Sequence, residues 1–141
     1  MSVDVKYRTS AVATGGRDGN VRTENGNLEV RLTTPKELGG PGGEGTNPEQ
    51  LFAAGYSACF LSSIKAAGQQ LKQRVPSDLT VTANIGIGVR SEGGFGITAE
   101  LVIKLPGVER TLAQQLIETA HQICPYSNAT RNNVAVYLRL E

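Results

Sequence analysis

Apolar and polar residues alternate along the first third of the chain. Val3, Val5, Tyr7, Thr9, Ala11 and Ala13 alternate with mostly polar residues, the pattern of a half-buried strand. Gly15–Asn20 (GGRDGN) is a turn cluster, and a short strand follows at Val21–Thr23. Asn25-Gly26 signals a hairpin, with Leu28, Val30 and Leu32 on its second arm. This third reads as an antiparallel meander. The period then changes. In Asn47–Phe60 (NPEQLFAAGYSACF), Asn47 suits an N-cap, Pro48 the first helical position, and Gln50 the return side chain of a capping box. Leu51, Phe52, Ala53, Ala54, Tyr56, Ala58, Cys59, Phe60, Leu61 and Ile64 cover nearly every face, which predicts a buried helix from Pro48 to about Gln73, closed by Val75-Pro76.

Alternation returns in Leu79, Val81, Ala83, Ile85, Ile87 and Val89, and again in Phe95, Ile97, Ala99, Leu101, Ile103 and Leu105. Gly93-Gly94 turns between these two arms of a long hairpin. Leu112, Leu116, Ile117, Ala120, Ile123 and Cys124 repeat at helical spacing and predict a second helix over about Glu109–Cys124, stopped by Pro125. Val134, Val136, Leu138 and Leu140 predict a final strand. The fold class is α+β, with antiparallel sheets packed on two helices. No internal repeat or linker divides residues 1–141, so one domain is expected.

Charge and composition narrow the function. Fourteen Lys and Arg against thirteen Asp and Glu give a net charge of +1, intermixed along the chain. No basic stripe favours nucleic acid. No apolar run approaches the ~20 residues of a membrane span, and MSVDVKYR lacks the apolar core of a signal peptide. Cytoplasmic localisation is therefore expected, where purely structural disulfides are rare. The glycine-rich GGPGGEG at Gly39–Gly45 is not followed by the Lys-Ser/Thr of a phosphate loop. A mobile loop over the helix entrance accounts for it better.

The two cysteines, Cys59 and Cys124, fall on the two predicted helices, sixty-five positions apart. Each could be a small buried hydrophobe. The spacing is not that of a CxxC motif. Zinc bound by Cys59, His121 and Cys124 would lack a fourth cysteine or histidine. A Cys–His hydrolase could use Cys59 with His121 as base. In a dithiol cycle, Cys59 attacks an oxidant and Cys124 resolves the product. That cycle needs a thiolate, and a free thiol of pKa ~8.5 is only a few per cent ionised near pH 7. Cys59 lies too far along its helix to profit from the N-terminal dipole, so a cation must help. Arg17, alone among glycines, is a candidate, although a solvated turn arginine is its ordinary role.

Several blocks, in order and over nearly the whole length, resemble the Ohr/OsmC family of organic hydroperoxide resistance proteins. They are ATGGRDGNV (Ala13–Val21), TPKELGG (Thr34–Gly40), TNPEQLFAAGYSACF (Thr46–Phe60), GGFG (Gly93–Gly96) and AHQICPYSNATRNN (Ala120–Asn133). CPYSNATR and the glycine-flanked arginine turn resemble the Ohr branch. The resemblance implies an intertwined homodimer that reduces alkyl and fatty-acid hydroperoxides to alcohols. Cys59 matches the peroxidatic cysteine and Cys124 the resolving one. Arg17 matches the arginine that activates the thiolate, and Glu49 the glutamate that pairs with it. The resemblance implies no metal or haem, and recycling by an external dithiol, the dihydrolipoyl group of a lipoylated protein. The competing expectation is an apolar-ligand-binding or structural dimer with inert thiols.

The residues carry two more expectations. Leu51, Phe52, Phe60 and Phe95 offer apolar walls for a substrate tail. If Glu49 and Cys59 share a helix, ten residues part them by about 15 Å along its axis. Glu49, with Arg17, is then expected to serve the Cys59 of a second subunit.

Overall fold

A computed structural model describes all residues 1–141. They divide into two compact units, Met1–Pro48 and Glu49–Glu141. In the first, β1 (Ala11–Thr14), β2 (Asn20–Thr23) and β3 (Glu29–Arg31) form the expected antiparallel meander, with Ala11 opposite Thr23 and Val21 opposite Val30. The first strand is shorter than its alternation suggests. Residues 1–10 have no regular structure, and Val3, Val5 and Tyr7 are exposed. Alternation makes a strand only where a ladder partner exists, and β2 spans just four residues; the last main-chain bond on this side runs from Glu24 N–H to Ser10 C=O.

Between β1 and β2, Gly16–Asp18 form a 3₁₀ turn. Asp18 holds it by accepting from the Thr34 N–H at 3.1 Å and the Thr34 hydroxyl at 2.9 Å. Gly19 is obligatory here, since a Cβ would lie 1.7 Å from the Thr14 carbonyl oxygen. The glycine-rich loop is also tied down. Gly40 N–H and Gly42 N–H donate to the carbonyls of Pro35 and Thr34, and Leu32 bridges Thr46 where the loop closes.

In the second unit the long helix α1 (Pro48–Gln70) buries Tyr56, Phe60, Ile64 and Ala67. It ends three residues before the expected Gln73. Lys72 adopts a left-handed conformation (φ 54°), Gln73 N–H returns to Gly68 C=O and Lys72 N–H to Gln69 C=O, which closes the helix without a glycine at the turning position. Strands β4 (Thr80–Val89) and β5 (Phe95–Lys104) pair antiparallel over their full length, as the two alternating runs predict.

Helix α2 (Arg110–Ile123) is capped by the Glu109 carboxylate, which accepts from the N–H groups of Thr111 and Leu112. Its apolar stripe, Ala113, Leu116, Ile117 and Ala120, meets α1 and the inner face of β5 (Ala99, Leu101, Ile103) in one buried core. Two features depart from expectation. Pro125 does stop α2, but it also opens a third helix, α3 (Pro125–Thr130), because the first helical position has no use for an N–H. Strand β6 (Val136–Leu140) pairs with β5 in parallel, Ala99 opposite Val136 and Ile103 opposite Leu140. The sheet is therefore mixed, and α2 and α3 form the crossover that a parallel pair requires. No helix is long and apolar enough to cross a membrane.

Candidate active site

Cys59 sits on α1 and is partly exposed, whereas Cys124 is completely buried. Cys124 occupies the elbow between two helices, closing α2 and preceding the first residue of α3. Its N–H bonds the Ala120 carbonyl at 2.8 Å, and its own carbonyl accepts from Asn128 N–H at 2.9 Å. This elbow points the thiol at α1. The Cys124 Sγ–H donates to Cys59 Sγ at 3.6 Å. Two thiols in contact lie within about 1.6 Å of disulfide bonding distance.

The surroundings of Cys59 oppose ionisation on balance. Burial pushes its thiol up, a hydrogen bond from the Tyr126 backbone N–H pulls it part of the way back, and the bond and charge of Cys124 raise it again. Tyr126 lies over α1, with its ring 6.0 Å from that of Phe52 and 5.7 Å from that of Tyr56. Gly55 makes room for it: a Cβ there would stand 2.7 Å from the Tyr126 hydroxyl.

Beside the sulfurs runs a polar chain that the hydrophobic pattern did not single out. Ser127, wholly buried, shares a hydrogen bond of 2.8 Å with the buried Tyr56 hydroxyl and one of 2.9 Å with His121 Nδ1. Thr130 Oγ1 stands 3.5 Å from the same tyrosine hydroxyl. Arg131 donates to the His121 carbonyl at 2.6 Å. Burial, and then the Arg131 charge, hold His121 below its ordinary value and favour the neutral ring. The signal was a serine two residues past Pro125, inside the CPYSNATR block.

Arg17 is half-buried in the 3₁₀ turn of the first unit, and Glu49 lies in the first turn of α1. Leu51 and Phe52 are half-buried on α1. Phe60 is fully buried, packed edge-on to Tyr56 and 6.4 Å from the His121 ring. Phe95 is 72% exposed and lines a cavity of about 510 Å³ with Arg90, Ile97, Asn133 and Val134. The two cysteines are brought together; Phe95 stands apart from the Phe52–Tyr56–Phe60 row. No three His, Cys, Asp or Glu side chains converge closely enough to hold a metal ion.

Comparison with known proteins agrees with this architecture. A family model described as OsmC-like protein matches residues 40–139. An organic hydroperoxide resistance protein of Xanthomonas axonopodis pv. citri is 51% identical over 136 residues, covering 96% of this chain and 95% of that protein. The crystal structure of an organic hydroperoxide resistance protein from Elizabethkingia anophelis, with thiocyanate bound, superposes with a TM-score of 0.92 at 49% identity, covering 99% of each chain. One from Legionella pneumophila also gives 0.92, at 43% identity over 98% of this chain and 99% of that one. With the family model spanning most of the chain and half of its residues shared with such a relative, the chain belongs to the OsmC-like family, on its organic hydroperoxide resistance branch.

Proposed function

We propose that the protein is a thiol-based peroxidase that confers resistance to organic hydroperoxides by reducing alkyl and fatty-acid hydroperoxides to alcohols. The observation that carries this reading is the 3.6 Å contact between a partly exposed and a fully buried thiol. The names of the relatives point to the same substrate class.

The Cys59 thiolate attacks the terminal oxygen of ROOH. The O–O bond breaks, RO⁻ takes a proton and leaves as ROH, and Cys59 becomes a sulfenic acid. The Cys124 sulfur then attacks Cys59, its proton leaves with the hydroxyl as water, and a disulfide forms. An external dithiol reduces the disulfide by exchange and is itself oxidised to a disulfide. In sum, ROOH and the dithiol give ROH, water and the oxidised dithiol.

Burial and Cys124 raise the Cys59 thiol, so a nearby cation is required to give a useful thiolate fraction at pH 7. This reading assigns that role to Arg17, whose forked donors also suit a peroxide, and assigns Glu49 to pairing with the guanidinium. It places the half-buried Leu51 and Phe52 along the apolar path of the substrate, with the fully buried Phe60 as core behind them and Phe95, on a separate cavity, outside it. A homodimer is the working unit, the reductant is a dihydrolipoyl group of a lipoylated protein, and the compartment is the cytoplasm. The cycle uses no metal, no haem and no bound cofactor.

The test is turnover of an alkyl hydroperoxide with dihydrolipoamide. Cys59→Ser abolishes it, Cys124→Ser loses sustained turnover through the disulfide and over-oxidises at Cys59, and Arg17→Ala slows the first step. A Cys59→Ser form that still turns over would remove Cys59 from the chemistry.

A further inference from the structure

One buried oxygen ties together the three helices of the second unit. Ser127 sits on α3, and its Oγ is bonded to Tyr56 on α1 and to His121 on α2; Tyr56 and Ser127 are fully buried, and His121 is half-buried. The bond to His121 braces the α2–α3 elbow across its inside, and the bond to Tyr56 ties that elbow to the helix that carries Cys59. The brace lies three residues on either side of Cys124. Arg131 adds a second strut over the same elbow through the His121 carbonyl.

A buried polar chain of this kind is costly in an apolar core unless its buried members are satisfied, and here no buried side-chain nitrogen or oxygen lacks a partner. With His121 neutral, the ring tautomer sets the direction of the chain: a proton on Nδ1 makes the ring donate to Ser127, and a proton on Nε2 leaves Nδ1 to accept. In the Nε2–H tautomer, Ser127 donates to Nδ1 and accepts from the Tyr56 hydroxyl. The direction matters because Ser127 has a single proton and cannot donate to both neighbours.

We propose that the Ser127 hydroxyl, held between Tyr56 and His121, is a positioning group for the resolving step, setting the Cys124 thiol against Cys59 and so fixing the speed of disulfide closure. The inference rests on the two-thiol reading given above. Removing the brace lets the elbow rotate and takes Cys124 out of contact, while the peroxide still meets Cys59 on α1. The consequence is kinetic partition. A sulfenic acid that waits for its partner meets a second peroxide and is oxidised to sulfinic acid, with one more equivalent of ROOH reduced to ROH.

Ser127→Ala and Tyr56→Phe are compared with wild type by rapid mixing with tert-butyl hydroperoxide. Cys59 sulfenic acid is trapped by dimedone, and the disulfide and sulfinic acid are counted by mass spectrometry of the intact protein. The readout is the ratio of closure rate to attack rate. Ser127→Ala lowers that ratio at least tenfold and accumulates sulfinic acid at excess peroxide. Tyr56→Phe keeps the ring and its packing and lowers the ratio by a smaller factor; it carries the test alone if Ser127→Ala does not fold. An unchanged ratio, or equal slowing of both steps, overturns the proposal. A wild type that forms no Cys59 sulfenic acid or no disulfide sinks the two-thiol reading itself, which is a different result.

Discussion

Replacing Gly55 by alanine sets two effects of similar size against each other. Alanine in a helix interior is favoured over glycine by about 1 kcal/mol. The new Cβ, however, would lie 2.7 Å from the Tyr126 hydroxyl and 3.2 Å from two ring carbons. The hydroxyl end of the ring must retreat by about 0.7 Å to reach ordinary contact. Its stacking on Phe52 and Tyr56 is disturbed, at a cost of about 1 kcal/mol. Tyr126 is 38% exposed, so the ring has room to yield. Stability therefore stays within about 1 kcal/mol of wild type, a shift of about 2–5 °C in Tm. The site does not escape, because the same residue supplies the N–H bonded to Cys59. Weakening that bond by about 1 kcal/mol lowers the thiolate fraction about fivefold. Thermal denaturation and the pH dependence of Cys59 alkylation measure the two effects separately. A Tm loss above about 10 °C, or a thiol titrating as in wild type, would refute the reasoning.

Alkyl hydroperoxides of increasing chain length are expected to gain about fourfold in kcat/KM per methylene while the tail still buries, from ~0.8 kcal/mol each; a flat series would rule out an apolar path. His121 gives a pH signature. Its folded pKa is lowered, chiefly by burial and then by Arg131, while Ser127 and the Phe60 ring bring no charge, so below about 6.5 the unfolded chain binds the proton first. The His121 contribution is complete above that pH and is lost as pH falls through the window toward the folded value. Urea midpoints of wild type and His121→Asn across this range should converge at acid pH, and parallel curves would contradict the assignment. Lys72→Gly relieves the left-handed residue that ends α1 and is expected to raise stability by about 0.5–1 kcal/mol in urea unfolding; a loss would show that the Lys72 side chain holds the turn.

Periodicity locates the long elements well because each has one buried face. The β4–β5 hairpin and α2 are legible from alternating and helical spacing alone. Strand direction is not, since alternation is the same in either sense, and the parallel pairing of β6 depends on the path taken by α2 and α3. Pro125 reads as a terminator because proline ends helices; that it also begins one depends on whether the next residues can complete a helical turn. Val3–Thr9 alternates as a strand does, yet the ladder ends at Ser10 because hydrogen-bonding partners are not encoded in polarity. Of the candidate site, the types and helical positions of Cys59 and Cys124 are visible. Their meeting is not fixed by spacing: the residues leave a dithiol cycle as one reading among several, and the resemblance of several long blocks to one family selects it. The Tyr56–Ser127–His121 chain leaves no periodic trace, because single polar groups on three helices gain meaning only when the helices pack.

The parallel crossover bears on how the molecule acquires its chemistry. Pairing β5 with β6 joins strands separated by two helices, and such non-local closures are slow relative to hairpins and helices. The second sulfur lies inside that late-forming segment, whereas the first belongs to a helix able to form early. On the two-thiol reading, a chain that has not yet closed this crossover holds Cys59 without Cys124 set against it. On that reading, the topology makes Cys59 most open to over-oxidation before the C-terminal strand has docked.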